Sequence, residues 1–144
     1  MSEQDFITKR IPHRPPFLWI DRVCELTDTT ILAEKILDAK LDVFKGHYPD
    51  YPLMPGVLLC EAVFQAGALL IGEQVGNDET LAGVPVLTRI QGAKFKREVR
   101  PGDTIAIEAV IKEKVGPAWF CKGKVRVRGK VAVQVDFSCA LKDS

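Results

Sequence analysis

The stretch "VLLCEAVFQAGALLIG", residues 57–72, decides the fold, because only Glu61 and Gln65 interrupt an otherwise apolar run. A helix that is apolar on nearly every side is a buried helix, and at about 1.5 Å per residue this one would be roughly 24 Å long. Pro55 and Gly56 stand where it would begin, a position that suits proline because first-turn amides lack intrahelical partners. The run therefore predicts one long helix enclosed by the rest of the chain.

Most of the remaining chain has the β-branched and alternating pattern of strands. Residues 104–115 and 124–142 are the strongest candidates, and the Arg128-Gly129 step within the second predicts a hairpin turn. From residue 131 to residue 141, alternate side chains are apolar, which predicts a sheet with one buried face. Shorter strand candidates are residues 17–26, 30–37 and 85–95. We expect a single α+β domain over residues 1–144, with an antiparallel sheet packed on the helix.

Composition excludes several classes of protein. Of the 144 residues, 47% are hydrophobic and 27% charged, as in a globular protein, and a formal charge of +1 argues against a dedicated nucleic-acid binder. Cys24, Cys60, Cys121 and Cys139 lack the spacing of a metal site, so free thiols are expected. Polar residues and glycines within the helix argue against a membrane span, and "MSEQDFITKR" lacks the apolar core of a secretory signal. These features favour a cytoplasmic protein.

The carboxyl group of Glu61 needs a physical explanation inside an apolar helix. It must find a partner, become protonated or face a cavity, and Gln65 lies one turn away on the same helix face. His47 is the nearest candidate partner in sequence, but three intervening prolines exclude a shared helix. The chain must turn, which either brings His47 back over the helix or presents it to another subunit.

The start of the helix at Gly56 adds a second chemical element, because first-turn amides point outward with the positive end of the helix dipole. A base, a buried carboxyl group and an oxyanion site together suit proton removal beside a carbonyl with loss of a β-leaving group. A structural histidine and a buried glutamate capped by its neighbours remain the alternatives for His47 and Glu61.

The stretch "HYPDYPLMPGVLLCEA", residues 47–62, resembles the active-site signature of the β-hydroxyacyl-acyl carrier protein dehydratases of the FabZ/FabA type. The segments "IPHRPPFLWIDRV" (11–23), "RIQGAKFKREVRPGDTI" (89–105) and "VAVQVDFSCAL" (131–141) resemble further family segments in the same order. Glu61 and Val57 match the branch that dehydrates without isomerising the product. Tyr48, Gln91 and Pro15 depart from residues that are common in the family.

The resemblance implies a hotdog fold, in which a sheet wraps a central helix, and homodimers whose sheets join, often as trimers of dimers. It implies dehydration of (3R)-3-hydroxyacyl chains on acyl carrier protein to trans-2-enoyl thioesters in fatty-acid or related lipid biosynthesis, with no metal or organic cofactor. By position, His47 would remove the C2 proton and Glu61 would handle the departing hydroxyl. The Gly56 amide would hold the thioester oxygen, with Val57 and Gln65 at the same substrate-binding site. Each site would take its histidine and its acid from different subunits.

Five basic residues, together called the basic segment, lie close together in sequence: Arg89, Lys94, Lys96, Arg97 and Arg100. They would suit an acidic acyl carrier protein, or they are simply a solvated strand face. His13 is expected to be structural, and Gln65 either bonds within the site or is a plain buried amide. The rival functions are a hotdog acyl-thioesterase and a protein that binds acyl chains or carriers without catalysis.

Overall fold

The sheet and the long helix form the arrangement that the sequence predicts. The computed structural model describes residues 2–142, and there six antiparallel strands lie in the order β1-β2-β4-β5-β6-β3. The helices are α1 (Glu3–Thr8), α2 (Val43–Gly46) and α3 (Gly56–Gly76). The strands are β1 (Arg22–Leu26), β2 (Thr30–Ile36), β3 (Val84–Phe95), β4 (Thr104–Val115), β5 (Ala118–Val127) and β6 (Lys130–Lys142). Five strands contact α3, and this is the hotdog fold.

The central helix α3 is the core of the molecule. Its residues from Leu59 to Ile71 are buried, with Glu61 as the exception. The helix is long and apolar enough to cross a membrane, but 61% of its most apolar window is buried inside the protein. Gly123 of β5 lets the helix approach closely, since a Cβ there would overlap Val63 and lie 2.6 Å from the Glu108 carbonyl oxygen. Enclosure by its own sheet explains the apolar composition of α3.

The hairpin of β5 and β6 turns where the sequence predicts it. Arg128 and Gly129 have φ values of 53° and 77°, the left-handed pair that a tight hairpin turn requires. The strand before the turn begins at Ala118, however, whereas the sequence predicted a start at residue 124. The alternating pattern did not reveal the first part of β5, because the inward position 123 is a glycine and not a large apolar residue.

Residues 17–26 are a strand only from Arg22 onward, so the predicted start was wrong. The reason is that the Trp19 amide and the Phe17 carbonyl bond to the Gln65 side chain and not to a neighbouring strand. Pattern alone could not reveal this, because both conformations place apolar side chains against the core.

Strand β6 is covered on both faces at two places, which strict alternation did not predict. Ala132 and Ser138 lie on the outward face but are buried. Ser138 is covered by Thr88 and Gln91, which stand at two bulges of β3 and whose side chains contact its hydroxyl. The two short helices α1 and α2 were also not predicted, since four to six residues carry little periodic signal.

Candidate active site

Glu61 lies in the wall of a cavity between α3 and β3. The cavity has a volume of about 220 Å³, and its remaining wall is mostly apolar. Its other lining residues are Pro12, His13, Phe64, Ala68, Val84, Pro85, Val86, Leu87 and Cys139. The Glu61 side chain keeps 24% of its accessible surface, so the carboxyl group is accessible from this space. Such a cavity can hold an apolar chain with one acidic group beside it.

Gln65 fixes the position of Glu61 from one turn further along α3. Its Oε1 accepts from the Trp19 amide at 2.8 Å, and its Nε2 donates to the Phe17 carbonyl at 2.9 Å. The remaining Nε2 hydrogen goes to Glu61 Oε2 at 3.0 Å. A backbone N–H can only donate and a backbone carbonyl can only accept, so the side-chain amide of Gln65 has a single orientation. Gln65 is fully buried and therefore rigid.

His13, which the sequence suggested to be structural, lies beside the same carboxyl oxygen. Its Nε2 is 3.6 Å from Glu61 Oε2, and its ring lines the cavity. Burial lowers the pKa of His13 below its usual value, and this effect outweighs the opposing attraction of Glu61. The ring is therefore neutral at neutral pH. Sequence spacing gave no signal of this contact, because the two residues are 48 positions apart along the chain.

His47 ends the short helix α2 and begins the proline-rich turn. Its Nδ1 lies 2.9 Å from the Leu53 carbonyl oxygen, and its ring stacks at a tilt on Tyr48, with centroids 4.6 Å apart. A carbonyl oxygen can only accept, so Nδ1 carries the hydrogen and the lone pair of the neutral ring is on Nε2. Tyr48 has a positive φ of 51°, which reverses the chain after His47. The turn thus presents an imidazole with a free basic nitrogen.

Within one chain, His47 and Glu61 are not brought together. Among residues 2–142 the polar contact of His47 is with Leu53, and His47 is absent from the residues that line the Glu61 cavity. That cavity lies against β3, which is an edge strand of the sheet. Four apolar side chains on β3 are at least one-third exposed: Val86, Leu87, Ile90 and Phe95. A second chain that paired with this edge would cover them and border the cavity.

Gly56 and Val57 begin α3 with amides that are free for a ligand. No hydrogen bond to either amide occurs within residues 2–142, and Pro55 provides no side-chain cap. A Cβ at Gly56 would lie 2.6 Å from Cδ1 of Phe95, so the ring of Phe95 packs directly over the glycine. Val57 is 69% exposed. The helix start has the donors of an oxyanion site, and any side chain at Gly56 would displace the ring of Phe95.

The basic segment follows the exposed edge of the sheet. Arg89 and Lys94 belong to β3, and the other three residues lie in the connection to β4. All five are exposed, and in the part of the chain that the structure describes only Arg100 has an acidic partner, Glu98, at 3.7 Å. Positive charge therefore accumulates beside the edge that borders the cavity.

The cysteines supply no reactive thiol to this site, although Cys139 lines the Glu61 cavity. Cys60, Cys121 and Cys139 are buried thiols, and burial raises the pKa of Cys121 and of Cys139 to about 12. Cys24 is exposed. Across residues 2–142, no group of three or more histidine, cysteine, aspartate or glutamate side chains converges as a metal site would require.

The sequence is similar to known dehydratases over nearly its whole length. A FabA-like domain profile matches residues 11–136. The 3-hydroxyacyl-[acyl-carrier-protein] dehydratase FabZ of Anaeromyxobacter dehalogenans is 40% identical over 138 residues, which cover 95% of this chain and 88% of the relative. The FabZ of Clostridium perfringens is 38% identical over 135 residues, which cover 94% of this chain and 95% of the relative.

Solved structures with low identity show the same fold. The dehydratase heterocomplex ApeI:P from Xenorhabdus doucetiae superposes with a TM-score of 0.81 at 12% identity, covering 96% of this chain and 91% of that one. A hypothetical thioesterase with coenzyme A from Streptococcus pneumoniae gives a TM-score of 0.67 at 10% identity, covering 99% and 98%. Since proteins named as a dehydratase and as a thioesterase share this fold, the fold does not distinguish the two activities, and the sequence similarity does.

Proposed function

The chain belongs to the FabA-like family, and we propose that it dehydrates (3R)-3-hydroxyacyl-acyl carrier protein to the trans-2-enoyl thioester in fatty-acid biosynthesis. The structural observation that supports this proposal is Glu61, an accessible carboxyl group in the wall of a mostly apolar cavity. An acyl chain fits such a space, and the chemistry requires one acid at that point along the chain.

The proposed mechanism needs only proton transfer. His47 Nε2 takes a proton from C2, the electron pair forms the C2–C3 double bond, and the C3–O bond breaks. Glu61 supplies the proton that turns the leaving hydroxide into water, directly or through a bound water molecule. The free Nε2 lone pair of His47 and the accessibility of Glu61 support these roles.

Negative charge develops on the thioester oxygen while the C2 proton leaves. We assign its stabilisation to the Gly56 amide at the start of α3, with Val57 beside it and with Gln65 holding Glu61 in place. The free amides and the helix dipole support this assignment, because fixed donors aimed at developing charge lower the barrier to reaction.

Each complete site requires two chains in this proposal, with His47 from one and Glu61 from the other. The support is that one chain leaves these residues in different surroundings, while the unpaired edge of β3 exposes apolar side chains beside the cavity. Pairing of two β3 edges would join the sheets of a homodimer. Assembly into a trimer of dimers is an expectation of the family resemblance, and native mass spectrometry measures it directly.

Acyl carrier protein is the proposed macromolecular partner, and the basic segment is its proposed docking surface. Its support is the run of exposed positive side chains beside the same edge, four of them without an acidic partner among residues 2–142. A cytoplasmic location fits an enzyme whose most apolar helix is enclosed by its own sheet.

The reaction is tested with 3-hydroxybutyryl and 3-hydroxydecanoyl thioesters of acyl carrier protein, followed by mass spectrometry. Loss of one water is expected, together with gain of water when the 2-enoyl thioester is supplied. Free carrier thiol would instead indicate a thioesterase, and unchanged substrate would indicate a binding protein. Full turnover by both His47→Ala and Glu61→Gln would refute the assigned residues.

The shared site is tested by mixing the two inactive variants. If each site takes its residues from different chains, a mixed dimer contains one site with both His47 and Glu61 intact, and about half of its sites recover. If each site is formed within one chain, no mixture recovers activity. Homodimers of each variant, purified by separate affinity tags, serve as controls.

Docking is tested by comparing a carrier-bound substrate with its N-acetylcysteamine thioester. Charge reversal at Lys94 and Arg97 is expected to raise KM for the carrier substrate alone, and high salt should do the same in the wild type. Equal effects on both substrates would contradict the docking role.

A further inference from the structure

His13 lies against the proposed acid, and its place in the fold has a consequence for catalysis. The ring lines the Glu61 cavity, and its Nε2 is the second polar group beside Glu61 Oε2, after Gln65 Nε2. Within residues 2–142, no hydrogen bond reaches the other oxygen, Oε1. Both protein groups thus meet the same side of the carboxyl group.

The segment that carries His13 is held in place by its neighbour. The guanidinium of Arg14 donates to the carbonyl oxygens of Thr8, Ile11 and His13 at 2.8 to 3.1 Å. Three backbone contacts on one side chain fix the path of the chain through residue 13. The imidazole is therefore carried by a rigid support and not by a mobile loop.

The hydrogen on the neutral ring can be placed from its surroundings. Nδ1 of His13 is buried and has no hydrogen-bond partner among residues 2–142. A hydrogen there would be an unsatisfied buried donor, whereas a hydrogen on Nε2 points toward the carboxyl oxygen of Glu61. The charged groups nearest the ring are Glu61 and Arg14; burial, with a smaller contribution from Arg14, lowers the pKa of His13 and outweighs the opposing attraction of Glu61, so the ring is neutral.

We propose that His13 is a positioning residue for Glu61. The Nε2–H groups of His13 and Gln65 together occupy Oε2 of Glu61, so that the acidic proton is carried only on Oε1. This role requires that the 3.6 Å between His13 Nε2 and Glu61 Oε2, too long for a direct hydrogen bond, closes or is bridged by one water when substrate binds. With both lone pairs of Oε2 occupied, the carboxyl group cannot turn its proton away from the departing hydroxyl. This role rests on the proposed function of Glu61.

The protonation state is tested in the intact wild-type protein. The chain contains only two histidines, so selective ¹⁵N-histidine labelling gives two imidazoles, which a His13→Gln variant assigns. At pH 7 the ring of His13 should be neutral with the hydrogen on Nε2. A hydrogen on Nδ1, or a charged ring, would overturn the proposal without any measurement of activity.

The effect on catalysis is tested with two variants of similar size. His13→Met removes the donor, and His13→Gln returns an N–H at the place of Nε2. We expect kcat of His13→Met to fall about 10- to 100-fold, as for a misplaced reacting group, while KM changes less than about threefold. His13→Gln should recover most of that loss.

The outcomes separate this proposal from the function on which it rests. Wild-type turnover of 3-hydroxydecanoyl-acyl carrier protein that Glu61→Gln abolishes supports the function, whatever His13 does. In that case, a His13→Met variant with wild-type kcat would refute the positioning role. So would equal loss in both His13 variants when their melting temperatures match the wild type. Absence of wild-type dehydration would refute the proposed function instead.

Discussion

Replacement of Gln65 by methionine tests the rigid support of the candidate acid. Methionine has nearly the same length and volume as glutamine but forms none of its three hydrogen bonds. The change leaves the Trp19 amide, the Phe17 carbonyl and Glu61 Oε2 without this partner. The packing of the fully buried position is otherwise retained.

The expected loss of stability follows from the surroundings of each group. The Trp19 amide is in a buried hydrogen bond, and an unsatisfied buried donor costs about 1–3 kcal/mol. The Phe17 carbonyl is only partly buried, so water can replace its lost partner at a cost of about 0.5 kcal/mol. Burial of the methionine side chain returns up to about 1 kcal/mol. The free energy of unfolding should therefore fall by about 0.5–3.5 kcal/mol.

Urea denaturation at one fixed protein concentration measures this change, because an oligomer's stability depends on concentration. Gln134→Met is the matched control. Gln134 is on β6 and forms no side-chain hydrogen bond among residues 2–142, so its variant should stay within about 0.5 kcal/mol of the wild type. Equal stability of the Gln65 and Gln134 variants would refute the inference that these buried hydrogen bonds stabilise the fold.

Three further changes test other parts of the structure. Gly123→Ala should destabilise the protein by about 1–3 kcal/mol in the same denaturation assay, since its Cβ would press on the Glu108 carbonyl; wild-type stability would contradict the close packing. A thiol reagent should modify Cys24 rapidly in the native protein and the three buried thiols only after unfolding, whereas rapid modification of all four would contradict their burial. Because the folded protein lowers the pKa of His13, the unfolded chain binds its proton first, and the stability contributed by the neutral ring is lost as the pH falls below about 6.5. The melting temperature of His13→Gln should fall less than that of the wild type as the pH is lowered over that range. Identical pH dependence of the two melting temperatures would contradict the burial of a neutral His13.

Much of the fold follows from local pattern. The strand Thr104–Val115 has the predicted bounds, and the Arg128-Gly129 turn is where the sequence places it, because both depend on alternation and on turn residues. Prediction failed where a long-range contact decides the conformation. The backbone groups of Phe17 and Trp19 bond to the Gln65 side chain, and Gly123 takes the place of a large inward side chain, which lets the helix approach. Neither contact has a periodic signature.

The candidate site, like the fold, was predictable from sequence only in part. Sequence identified Glu61 by the cost of placing a carboxyl group in an apolar helix, His47 as its nearest candidate partner and Gly56 as the helix start, and the resemblance implied their roles. It could not show that His13 lies beside Glu61, or that one chain keeps His47 out of the Glu61 cavity. Those facts depend on how distant segments meet.

Sequence alone determined the buried central helix, the antiparallel strands and the chemical types available for catalysis, because apolar periodicity and isolated polar residues act over a few positions. Only the tertiary structure decided which oxygen of Glu61 is held, which nitrogen of His47 is free, and that the cavity lies at an unpaired sheet edge. Hydrogen-bond direction and burial are properties of groups brought together from distant positions, so no local pattern contains them.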